Sequence, residues 1–198
     1  KKVENDKKMN KRYHNEINVD YDAYKDFKGI INYLQNNSDL GIFHEIKITS
    51  SSLYNNDNQY APSNTIHYQD QNIEFWKMIM MKMIYSSSLD NSWLCFEFCN
   101  YKIKPTHYTI RSANYQVNRE HPKSWVIEGS NDNKEWIILD EQKDCFSLNG
   151  KSVTHTFSIT NSTDSKFTFL RMRLIGPNWC KNTKHLNINC IEFYGSLV

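Results

Sequence analysis

From residue 46 onward the apolar positions of the chain recur mainly at steps of two, and that period predicts strands. In SWLCFEF (92–98), Leu94, Phe96 and Phe98 share one face, while Trp93, Cys95, Glu97 and then Cys99 share the other. The segment reads as a central strand covered at least partly on both sides. FTFLRMRLIG (167–176) turns Leu170, Met172 and Leu174 one way and Arg171 and Arg173 the other, as a half-buried strand does. HEIKITSSS (44–52) places Ile46 and Ile48 on one face, and HTFSIT (155–160) and LNINCIEFYG (186–195) continue the series. Two stretches depart from this period. In FKGIINYLQNN (27–37), Phe27, Ile30, Ile31 and Leu34 recur at three- and four-residue steps, which predicts a short amphipathic helix laid on a core. In NIEFWKMIMMKMIY (72–85), Phe75, Ile79 and Met83 lie on one helical face and Trp76, Met80 and Ile84 on the next. Its apolar density also suits a buried strand pair, and a core and a docking role both stay open for 69–84.

Residues 107–136 organise the rest. YTIRS (108–112) and SWVIEGS (124–130) read as strands joined by a polar loop, and a tight turn at Ser130-Asn131-Asp132-Asn133 leads into WIILD (136–140). Trp125, Ile127, Trp136 and Ile138 are expected to pack as scaffold. Pro105 is expected at a strand entrance, where its missing donor is tolerated, and Asn149-Gly150 is expected to form a turn with positive φ. Three loops remain as candidate contact surfaces: 50–64 with Tyr54 and Tyr60, 113–121, and 177–185 with Trp179 near Lys181, Lys184 and His185. Residues 1–23 read as a polar linker or tail, and 24–198 as one domain.

Composition changes this picture little. The net charge of +2, from 24 basic and 22 acidic residues, identifies no nucleic-acid partner. No apolar run is long and uninterrupted enough for a membrane span, and no membrane insertion is expected. Five cysteines, Cys95, Cys99, Cys145, Cys180 and Cys190, are an odd number in a domain large enough to do without disulfides, so reduced thiols and a cytoplasmic location are expected. The alternative is an extracellular or cell-surface location, where the sequons at Asn36 and Asn161 would matter. Cys95 and Cys99 do not suit a shared zinc, because four strand residues span roughly 13 Å. The chain carries no GxSxG, P-loop, HExxH or GxGxxG. Glu97, Glu128 and Asp140 could supply paired carboxylates, but the first two sit within strands, where hydrogen-bonded structural roles are expected instead. No catalytic residue, metal site or cofactor is expected.

Taken together, ITSSS (48–52), SWLCFEF, PTHYTIRS (105–112), HPKSWVIEGSNDNKEW (121–136), FLRMRLIGPNW (169–179) and the closing IEFYG (191–195) resemble the discoidin superfamily, also called coagulation-factor type C or galactose-binding-like domains. The wording is closest to the intracellular multidomain branch, in which such domains sit beside BTB, kinase or ubiquitin-ligase modules. The disulfide that ties the two ends in secreted relatives has no counterpart here, since no Cys precedes Cys95 and the last is Cys190. The resemblance implies an eight-stranded antiparallel jelly-roll β-sandwich, here with a short N-terminal helix and an inserted apolar segment, that binds through loops at one end. The resulting expectation is a non-catalytic binding module for a protein or peptide partner within a larger regulatory protein. The alternative is a carbohydrate-binding domain. Tyr54, Asn114, Tyr115, Arg119, Glu120, Trp179 and Lys184 are the candidate ligand-binding residues, because aromatic rings, Arg and amides in exposed loops suit either partner.

Overall fold

In a computed structural model, the structure describes residues 16–52, 61–68, 84–85, 91–161, 163–180 and 183–198. The period-two segments form two antiparallel sheets packed face to face. One has the order β1(Ile17–Val19), β10(Asn187–Leu197), β5(Ile103–Ser112), β8(Thr154–Ser158), with the two-residue β3(Ile84–Tyr85) also paired to β10. The other runs β2(Ile46–Ser50), β4(Trp93–Phe98), β9(Phe169–Leu174), β6(Trp125–Ser130), β7(Ile137–Gln142). The eight strands expected of the sandwich are β2 and β4 to β10; β1 and β3 are short additions to one sheet. Because β1 pairs with β10 from Ile17↔Leu197 to Val19↔Gly195, residues 17–23 belong to the folded unit and not to a tail. Tyr21 likewise packs on His107 and Tyr194.

The inner faces are those the alternation predicts. Leu94, Phe96 and Phe98 of β4, Leu170, Met172 and Leu174 of β9, and Trp125 and Ile127 of β6 are all buried. Inside this apolar layer one polar network is fully paired. Asp140 accepts hydrogen bonds from Tyr108 Oη (2.7 Å), Thr160 Oγ1 (2.7 Å) and Gln142 Nε2 (2.9 Å), while Trp125 Nε1 donates to Tyr108 Oη (3.1 Å). Every member with a proton to give has an acceptor, which is what makes such burial tolerable.

The predicted helix is α1(Ile30–Asn37), and Phe27, Ile30, Ile31 and Leu34 are all buried as its spacing required. A second helix, α2(Ile42–Glu45), is a single turn. α1 lies on β10, and its start is tied down by Glu192, whose carboxylate accepts from the Ile31 and Asn32 N–H groups, both at 2.9 Å. Gly29 makes that approach possible: a Cβ there would lie 2.2 Å from the Phe193 carbonyl oxygen.

Several local expectations need correction. Ile138 is 43% exposed and not scaffold, because a bulge in the β6–β7 pairing leaves Leu139 as the buried residue. Pro105 sits inside β5 rather than at its entrance, beside a register shift opposite Gly195 that removes the need for its missing donor. Neither Asn149 nor Gly150 has positive φ; Asp144 and Ser152 take that role in the same excursion. The 130–133 turn does form. Ser130 Oγ accepts from Asn133 N–H, Asp132 Oδ1 accepts from Lys134 and Glu135 N–H, and Asn133 is left-handed. The apolar segment 69–83 and the loop tip 53–60, with Tyr54 and Tyr60, lie outside the described residues.

Candidate functional site

The strand registers bring the chain ends of Ser50, Trp93, Trp125, Gln142 and Leu174 in one sheet, and Ser112, Thr154 and Asn187 in the other, to the same end of the sandwich. Loops 113–124, 143–153 and 175–186 therefore meet there, while the 131–136 turn is at the opposite end. Backbone bonds knit the three together. Cys180 N–H donates to the Arg119 carbonyl (3.0 Å), Trp179 N–H to that of His121 (3.3 Å), and Cys145 N–H to that of Lys123 (2.8 Å). Asn118, left-handed, donates its N–H to Asn149 Oδ1 at 2.7 Å, and Asn149 Nδ2 returns a bond to Asn118 Oδ1 at 2.9 Å.

Six of the seven residues picked from sequence fall at this end; Tyr54 lies outside the described residues. Arg119 is exposed, and Asn114, Tyr115, Glu120, Trp179 and Lys184 are half-buried. Asn114 Oδ1 accepts from Ser152 Oγ (3.4 Å), and the Tyr115 carbonyl faces His121 Nε2 at 3.1 Å. Trp179 does not present a bare ring. Lys123 Nζ lies 5.0 Å from its centroid, and Phe146 meets it edge-on at 5.1 Å. Phe146 is the ring that faces outward, at 63% exposed, and Lys123 also pairs with Asp144 at 2.8 Å. Phe146, Lys123 and Asp144 were missed by the sequence reading. A lone Phe in DCFSL reads as core, and only the tertiary contact with Trp179 reveals its place.

Beneath this rim, polar atoms collect without partners. His121 Nδ1, Asn178 Oδ1, Trp179 Nε1, Thr183 Oγ1 and both amide atoms of Asn187 are buried and have no hydrogen-bond partner among the described residues. Burial holds the His121 imidazole below its ordinary pKa against the opposing pull of the Gln116 and Tyr115 carbonyls, which favours the uncharged ring. The floor is thus polar yet carries little charge. Its unpaired groups cost about 1–3 kcal/mol each where they stay dry.

No convergent acid–base pair exists among the three carboxylates considered. Glu97 pairs with Lys47 at 3.3 Å on the outer face, Asp140 is spent on the core network, and Glu128 is clamped by Arg171 and Arg173. Among the described residues no group of three or more His, Cys, Asp or Glu side chains is placed to hold a metal ion. All five cysteines are free thiols, and no described helix is long and apolar enough to cross a membrane.

No known family model matches the chain. Over 109 residues, 54% of its length, it is 30% identical to the E3 ubiquitin-protein ligase Ufd4 of Drosophila melanogaster. Over 96 residues, 48% of its length, it is 29% identical to the E3 ubiquitin-protein ligase hecd-1 of Caenorhabditis elegans. The match occupies only 4% of either ligase. Among solved structures, an F5/8 type C domain from Bacteroides fragilis superposes with a TM-score of 0.58 at 11% identity, over 77% of this chain and 92% of that one. The chain has the discoidin-like, F5/8 type C fold. A fucolectin from the serum of Morone saxatilis also shares it, with a TM-score of 0.56 at 18% identity, over 76% of this chain and 47% of that one. On this fold, the end just described is built by the loops that leave β5, β7 and β9, and the last two of them carry the Phe146–Trp179 pair.

Proposed function

We propose that this discoidin-like domain is a non-catalytic binding module and that its loop end takes a carbohydrate. The observation that carries the reading is the exposed ring of Phe146, backed edge-on by Trp179 and flanked by the Lys123–Asp144 pair. A pyranose offers an apolar C–H face and a ring of hydroxyls. Phe146 supplies the stacking surface, and Lys123, Asp144, Arg119 and Glu120 supply donors and acceptors at its margin. The fold shared with a fucolectin supports this reading. So does the weakly charged floor, since a neutral ligand gains nothing from a strong field.

A glycan array tests it. A saturable hit that is lost in Phe146→Ala and kept in Val117→Ala, a comparably exposed apolar loop residue, is the expected result. An array without signal, or a hit that Phe146→Ala leaves intact, overturns it. The second reading, capture of a protein or peptide inside a larger regulatory protein, is favoured by the likeness to two ubiquitin ligases and by the five free thiols. On that reading the same surface acts in the cytoplasm, and Phe146 and Arg119 serve as contact anchors. A silent array together with partner capture that depends on Phe146 selects it.

A further inference from the structure

Beside the loop end, a cavity of about 510 Å³ opens where the segment before α1 crosses the outer face of the β10–β5–β8 sheet. Tyr24, Lys25, Asp26, Lys28, Tyr68 and Arg111 line it. Arg111 is held at two points, and the ring beneath it is itself backed by another. Its guanidinium carbon lies 4.6 Å from the Phe27 ring centroid, Phe27 stacks on Tyr68 at 5.2 Å with 22° between planes, and Arg111 Nε donates to Thr154 Oγ1 at 3.2 Å. Tyr68 is anchored in turn, since its Oη donates to the Ile191 carbonyl at 2.7 Å.

Phe27 adopts this position at a cost. It is a buried, bulky residue with φ of 58°, in the left-handed region that such side chains avoid, and its N–H donates to Tyr194 Oη at 3.0 Å. The backbone is bent so that an aromatic ring lies between Tyr68 and the guanidinium. With Nε engaged and the plane fixed by stacking, the two Nη groups of Arg111 are left with no hydrogen-bond partner among the described residues, and they form the fork that receives oxyanions bidentately. Lys25 is committed to Asp22 at 3.2 Å, while Lys28 has no such partner among the described residues. Arg111 and Lys28 therefore outweigh the one carboxylate in the lining, Asp26. The cavity exceeds what a bare oxyanion fills, and Tyr24, 97% exposed, offers a ring at its mouth.

We propose that this cavity is a second ligand site, which binds a small organic phosphate monoester: phosphate on Arg111 and Lys28, organic group against Tyr24. Asp26 excludes polyanions and accepts a hydroxyl or amine from the organic part.

Inorganic phosphate and phenyl phosphate, titrated into the 198-residue chain by calorimetry at low salt, test it. Both are expected to saturate, with phenyl phosphate about 3- to 10-fold tighter because the ring stacks. Tyr24→Ala should erase that difference. Arg111→Lys, which keeps the charge but loses the fork, should weaken both by at least about tenfold. Lys28→Ala, at an exposed position that threatens no packing, should weaken both as well, which keeps the test open should Arg111→Lys not fold. Phe146→Ala should change neither, so failure here and failure at the loop end are separable. No saturation by either probe, binding that Lys28→Ala and Arg111→Lys leave unchanged, or binding lost with Phe146→Ala overturns the proposal.

Discussion

At Trp179 the indole is already in use, with Lys123 over its face and Phe146 at its edge, while the neighbouring Phe146 ring is the one offered to solvent. Sequence alone assigned Trp179 the contact role. The geometry divides contact and stability between the rings. Trp179→Ala should cost about 1–3 kcal/mol, less than a fully buried Trp, and lower Tm, whereas Phe146→Ala should leave Tm nearly unchanged and abolish binding. The buried thiols give a second residue-scale outcome. Burial pushes the Cys95 and Cys190 thiols up to about 12, so neither supplies thiolate near neutrality. In a timed thiol assay on native protein, exposed Cys99 should react first, Cys145 and Cys180 more slowly, and Cys95 and Cys190 only on unfolding. Glu192 gives a third. Burial raises its carboxyl to about 7, against the opposing pull of the Asn32, Ile31, Phe193 and Gly29 N–H groups, from an ordinary value of 4.5. Between those two values the folded chain keeps a proton that the unfolded chain has released, so stability falls as pH rises through this window. The loss is on the order of 3 kcal/mol. Thermal melts from pH 5 to 8 should show this downward slope in the native chain and lose it in Glu192→Gln, where the opposite, smaller contribution of the buried His121 remains.

Among elements, the seating of α1 on β10 rests on the absence of a side chain at Gly29, where the obstacle to a Cβ is backbone and cannot rotate away. Gly29→Ala should therefore cost about 1–3 kcal/mol, and a circular-dichroism melt should show it, since the helix must lift from the sheet or the strand must shift. The outer face of β6 and β9 depends on a different device. Glu128, 3% exposed, accepts from Arg171 Nε at 2.8 Å and is also gripped by Arg173, and Arg171 lies 3.8 Å over the Trp136 ring. Replacing Glu128 with Ala leaves two half-buried cations side by side on one face of β9. We expect a loss of about 2–4 kcal/mol by denaturant titration, below the figure for a fully buried pair because water reaches both arginines. The helix and the alternating strands were readable from spacing because the partner face of each is apolar whatever lies opposite. The β7 bulge and the place of Pro105 were not, since both depend on which strand pairs with which and in what register.

For the molecule as a whole, the chain's own sequence determined the class of fold, the inward faces of the strands, the helix over 30–37 and the loops that carry polar and aromatic residues. These are properties of short, continuous segments, and the two-residue and 3.6-residue periods express them directly. Tertiary structure alone decided what those segments meet. It set the pairing of β1 with β10 across nearly the full chain, the convergence of loops separated by tens of residues, the exposure of Phe146 in place of Trp179, and the Arg111–Phe27–Tyr68 stack. Each of these joins groups far apart in sequence. Their pairing is chosen by the global packing of the two sheets, and no local pattern of apolar and polar positions encodes it.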